Sequence, residues 1–203
     1  MLKNICRLWW APFIICVVVL VGVFASPSPC TGSRTPFLKE LNEAELKRFE
    51  RMKALALKPQ PGWEIVSTEA RKRVVVLGCE VYGPSISQGY KSINGARFSI
   101  TLRADWPGDE KERKQVNALK AAQGELIKSD TISNLTLDQY YQLIQGYPAV
   151  LLVSSYPDAV FYAYTIDLLF ANVVMTVGAT HVPIAKFWEL VNGYDIAAIA
   201  SIP

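Results

Sequence analysis

Histidine occurs once in 203 residues, at His181, and the four cysteines form no C-x-x-C pair. A structural zinc site is therefore not expected, because it needs several Cys and His ligands at short spacings. No G-x-S-x-G elbow and no dinucleotide fingerprint is present. Residues 83–92 (GPSISQGYKS) imitate a phosphate loop, but five residues separate the glycines and Tyr90 stands where the lysine should follow. No metal and no cofactor is expected. Low-complexity bias is missing, and with 51% apolar residues the chain is too hydrophobic for disorder. A net charge of +3 is too small to indicate a nucleic-acid partner.

Charge is also scarce toward the carboxyl end. Residues 131–203 contain one base, Lys186, and five acids, Asp138, Asp158, Asp167, Glu189 and Asp195. A stretch so poor in charge is either the interior of a fold or a membrane segment. Two regions raise the membrane question. Residues 8–25 (LWWAPFIICVVVLVGVFA) are uncharged and follow Lys3 and Arg7. They read as a signal anchor or a cleaved signal. Trp9 and Trp10 favour an anchor, and the small residues around Phe24 favour cleavage near Ala25. The expected placement is a single pass in the inner or plasma membrane, with the main domain outside the cytoplasm. A secreted or periplasmic form is the alternative. Residues 168–185 are the second uncharged run, but Gly178, His181 and Pro183 punctuate it, which opposes a second pass.

Cys6 and Cys16 lie beside or in the apolar segment, and beyond it only Cys30 and Cys79 remain. In an oxidising compartment they could form one bridge; otherwise Cys79 is a small buried hydrophobe. Residues 26–36 (SPSPCTGSRTP) read as a stiff linker, leaving 37–203 as one extracytoplasmic domain. A helix is expected over 36–57, with Thr35 as its cap. Residues 96–103 alternate apolar and polar side chains, the mark of a half-buried antiparallel strand. A charged helix is expected over 109–128 and a further one over 136–147, the latter stopped at Gly146. Asn134 heads an N-glycosylation sequon.

From residue 149 onward the pattern reads strand (149–153), helix (159–172), strand (173–177), helix (183–192), strand (195–200). Alternation of this kind predicts an α/β fold, or else α+β, with a partly parallel sheet covered by helices behind an N-terminal hydrophobic helix. Ligands would then gather beyond the carboxyl ends of the strands. The residues falling there are Ser154, Ser155, Asp158 and His181. Ser155 and His181 with a nearby carboxylate would be a minimal set for acyl transfer. A lone loop histidine is more often a plain polar residue. Seven of the nine tyrosines lie after residue 139, and tyrosine joins apolar area to a polar tip, which suits interfaces. The leading expectation is a tethered or secreted accessory protein that binds a partner protein or small ligand. An exported hydrolase using Ser155 and His181 is the alternative.

Overall fold

The computed structural model describes residues 37–38, 41–58, 60–71, 74–76, 79–82, 84–104, 124–156 and 162–203. All of them belong to one unit, Gly32–Pro203. Its strands are β1 (Phe37–Leu38), β2 (Trp63–Arg71), β3 (Val74–Val76), β4 (Cys79–Tyr82), β5 (Ser85–Ser92), β6 (Arg97–Ala104), β7 (Leu126–Ile132), β8 (Leu135–Ile144), β9 (Tyr147–Ser155), β10 (Tyr162–Leu169) and β11 (Val173–Thr180). The helices are α1 (Glu43–Ala56), α2 (Ile184–Asn192) and α3 (Ile196–Ala200). Eight strands form the frame, a sheet in the order β2-β5-β6-β11-β10-β9-β8-β7. Each neighbouring pair in it is antiparallel. A second, three-stranded sheet holds β1, β3 and β4.

The expected partly parallel α/β sheet is therefore corrected: no described pair of strands runs parallel. Parallel neighbours need a crossover of a dozen or more residues, whereas these strands turn back directly. Ser133-Asn134 joins β7 to β8 and Gln145-Gly146 joins β8 to β9. All four residues have positive φ, of 49°, 68°, 52° and 84°. Positive φ at both central residues is the hairpin turn whose twist matches that of the flanking strands. Gly146 thus closes a hairpin and does not stop a helix. The expected helices over 136–147 and 159–172 are β8 and β10. Their adjacent apolar residues point to opposite faces, so each segment serves two environments at period two. The expected strand over 195–200 is α3, started by Asp195, whose Oδ1 accepts from the Ala198 amide at 2.9 Å. Expectations for β6, β9, β11 and α2 agree with the structure.

The first helix begins later than Thr35. Asn42 caps it through a reciprocal box: Oδ1 of Asn42 accepts from the Glu45 amide at 2.9 Å, and the Glu45 carboxylate accepts from the Asn42 amide at 2.8 Å. Two otherwise orphaned amides are satisfied at once. Phe49, Met52 and Ala56 then form the buried stripe. From α2 come Phe187, Leu190 and Val191, and from α3 come Ile196 and Ile199. These side chains share one cluster with Ile86, Tyr90, Phe98, Ile100, Leu102, Leu151, Ile166, Leu168, Met175 and Val177. All of those strand residues lie on one face of the large sheet, so one face carries the helices.

The opposite face alternates with it. Its middle strands present Ser85, Ser87, Ser99, Thr101, Thr165, Thr176 and Thr180, and Thr101 donates to Ser87 Oγ at 3.0 Å. Farther along, Tyr141, Leu169 and Val174 form a smaller buried cluster.

The membrane placement is not retained. Among the described residues no helix is long and apolar enough to cross a membrane. Residues 8–25, on which the signal-anchor reading and its secreted alternative rested, lie outside the described residues. Residues 168–185 include the end of β10, all of β11 and the start of α2, so they form no single membrane-crossing helix. The helix expected over 109–128 lies mostly outside the described residues, and its last part belongs to β7.

Candidate functional site

The antiparallel register decides which predicted residues can act together. Ser155 pairs with Tyr162 of β10 on one side and Thr136 of β8 on the other. Ser154 pairs with Ala163 and Leu137. Consecutive strand residues face opposite ways, so Ser155 shares the helix-bearing face and Ser154 the other. His181 follows β11 with φ of 57°, and its amide donates to the Tyr162 carbonyl oxygen at 3.3 Å. Thr136, Ser155, Tyr162 and His181 therefore form one row across this end of the sheet. Ser155 and His181 stand two strand spacings apart in that row, about 10 Å between their backbones across the sheet. A nucleophile and its base need hydrogen-bond contact. Asp158 and Cys30 lie outside the described residues, and Cys79 begins β4.

Around the same row stands a feature that site-by-site reading of the sequence misses. Tyr162 and Tyr164, two apart on β10, project from the helix-bearing face with ring centroids 5.5 Å apart. Tyr164 meets Phe187 of α2 at 5.3 Å, and Phe187 meets Trp188 at 5.2 Å. The rings are tilted, with centroid separations in the range of contacting aromatic pairs. Phe187 is fully buried, while Tyr162, Tyr164 and Trp188 are half-buried. The inner rows continue the surface toward β8. Asp138, Val153 and Tyr164 lie in the next row, then Tyr140, Leu151 and Ile166. Asp138, Tyr140, Val153 and Ser155 are all half-buried. Exposed apolar groups mark the rim: Tyr156 keeps 40% of its surface in solvent and Ile184 keeps 41%.

This wing combines ring faces, hydroxyls and one carboxylate. Asp138 accepts from the Ser129 hydroxyl at 2.6 Å, which orients it. Burial, with neighbouring Tyr162 second, holds the Tyr164 hydroxyl above its ordinary pKa, so it stays a neutral donor. Such a surface can stack on flat groups and hydrogen-bond their edges. Among the described residues no group of three His, Cys, Asp or Glu side chains could hold a metal ion.

A second polar cluster is interior. The Tyr90 hydroxyl donates to the Lys58 carbonyl oxygen at 2.6 Å and touches the Gln88 amide oxygen. Gln88 Nε2 donates to Thr68 Oγ1 at 3.3 Å. Tyr90 stacks on Phe98 at 4.2 Å, and Trp63 meets Phe98 edge-on at 4.8 Å. Tyr194 joins this cluster, its pKa driven up by burial and by Tyr90. This network ties the end of α1 to β5 and β2, which is a structural task.

The tyrosine enrichment after residue 139 is the sequence signal that bears on the wing. Trp188 and Asp138 carry no signal of their own, because their place depends on which helix face and which strand face come together. Compared with known proteins, the chain matches no family model, no curated protein and no solved structure.

Proposed function

We propose that this protein is an accessory binding module that seats a partner protein or small ligand on its tyrosine-lined wing. One observation carries the reading. The row Tyr162–Tyr164–Phe187–Trp188 is anchored in the core at Phe187, while the rings on either side of it stay half in solvent. Rings with little rotamer freedom lose little entropy when a ligand covers them, and Tyr and Trp dominate binding surfaces for that reason. Ser155, Thr136 and Asp138 add polar contacts beside the rings.

The alternative, a hydrolase using Ser155 and His181, has less behind it. The two residues are separated by β10, and Asp158 lies outside the described residues. Complementation of a gene deletion in the native host separates the readings. Tyr162→Ala and Trp188→Ala should abolish rescue while the proteins remain folded with cooperative melting transitions. His181→Ala should rescue fully. Loss of rescue with His181→Ala alone would instead support the hydrolase.

A further inference from the structure

Among the described residues the large sheet ends at β2 on one side and at β7 on the other. An edge strand offers a row of backbone donors and acceptors to any chain that can align with it. The two edges differ. β2 is bulged near its middle, between Ile65 and Ser67, which breaks the repeat that an added strand would follow. β7 is irregular only at its start, between Leu126 and Lys128. Both edges expose apolar side chains, Leu126 and Ile132 at 53% on β7 and Ile65 and Val66 at 45% and 52% on β2, so the choice between them rests on regularity and charge.

Leu126–Ile132 reads LIKSDTI. Turned antiparallel on itself about Ser129, the strand sets Lys128 opposite Asp130 of the second copy, and Asp130 opposite Lys128. Leu126 then falls opposite Ile132, and Ile127 opposite Thr131. Residues directly opposite in an antiparallel pair share a face and interact. Lys128 Nζ already lies 2.5 Å from Asp130 Oδ2 within the strand, and both side chains stay about half exposed. Two copies would merge these pairs into a quartet of alternating sign. Moving the centre by one residue either way puts Lys128 opposite Lys128 or Asp130 opposite Asp130, which opposes the slip. Folding β2 about its central Ser67 sets Glu64 opposite Ala70 and Ile65 opposite Glu69, with no charge match; its own ion pair, Glu69–Arg71, is matched only by folding about Ala70, one residue from the end of the strand.

We propose that β7 is a self-association edge: a second copy of this chain pairs with it antiparallel about Ser129. The two sheets become one continuous sheet with the helix layers on the same side. The contact is isologous, so it closes at two copies. An interface of this size is weak, and covalent capture reports it best.

The test uses the full chain with Cys6, Cys16, Cys30 and Cys79 replaced by Ser and a single Ser129→Cys added. Opposed strand residues fall within the Cα separation a disulfide needs. Mild copper-catalysed oxidation should give a covalent dimer, and Ser67→Cys on β2 should not. Asp130→Lys in the Ser129→Cys background should lower the yield about tenfold, because both symmetric pairs become like-charged. The swap Lys128→Asp with Asp130→Lys should restore it. Wild-type protein gives a second readout. Carbodiimide treatment of mixed ¹⁴N and ¹⁵N chains should yield Lys128–Asp130 cross-links of mixed label. Absence of a disulfide dimer from the Ser129→Cys variant, equal capture by the Ser67→Cys variant, failure of the charge swap to rescue, or cross-links within single chains only would each overturn the proposal.

Discussion

Tyr164 on β10 and Phe187 on α2 meet with ring centroids 5.3 Å apart and planes inclined by 30°. Through this contact the helix layer reaches the half-open end of the sheet. Tyr162 lies on one side of it and Trp188 on the other. The wing is thereby an outgrowth of the core, and substitutions at its two levels should separate. Phe187→Ala should destabilise the fold by about 3–5 kcal/mol, as expected for a fully buried ring. Trp188→Ala should cost clearly less. Chemical denaturation of both variants checks the ranking.

The Tyr90 hydroxyl serves the Lys58 carbonyl just beyond α1 and also contacts Gln88. Tyr90→Phe keeps the stack on Phe98 but leaves those partners buried and short of a bond. The expected loss is about 1–3 kcal/mol. Urea unfolding measures it, and an unchanged midpoint would show that water replaces the hydroxyl.

Tyr90, Tyr141, Tyr164 and Tyr194 all have pKa values raised by burial above the ordinary 10.0. The sign is fixed by linkage. The unfolded chain releases these protons first, so the stability they contribute is complete below about pH 10 and falls as pH climbs through the folded-state values. Melting temperature should therefore drop steeply on the alkaline side of pH 10. Ultraviolet titration should show exposed tyrosines ionising first and these four at higher pH.

The turn at Gln145-Gly146 needs left-handed backbone at both residues, with Gly146 at φ of 84°. A side chain there is strained whatever the surrounding space. Gly146→Val should cost about 1–2 kcal/mol or more and weaken the β8–β9 ladder first. Hydrogen exchange of the amides in residues 135–155 reads this directly.

Part of this architecture is legible in the sequence, for reasons particular to each segment. Phe98, Ile100 and Leu102 alternate with Arg97, Ser99 and Thr101, and only a strand with one polar face satisfies that order. Phe187, Leu190 and Val191 recur at helical spacing before Gly193, so α2 is equally plain. β8 misleads because its two faces are both partly apolar. Tyr140 looks to the helix-bearing side and Tyr141 to the other, so the alternation disappears and Gly146 resembles a helix stop. Charge scarcity after residue 131 is legible too, but its cause is an antiparallel meander and not strands alternating with helices. That difference also relocates the site. Ser154 and Ser155 do reach the same end as His181, yet the pleat sends them to opposite faces and β10 stands between. Tyr162 and Trp188 emerge only once the register and the helix placement are known.

Photo-cross-linking in the native host tests the tyrosine wing most directly. A benzophenone amino acid at position 162 samples the wing, and the same probe at Ser99 samples the opposite face. The wing position should yield a discrete adduct with another molecule on irradiation, and position 99 should not. Adducts from position 99 alone, or equal yields from both, would contradict the binding surface described above.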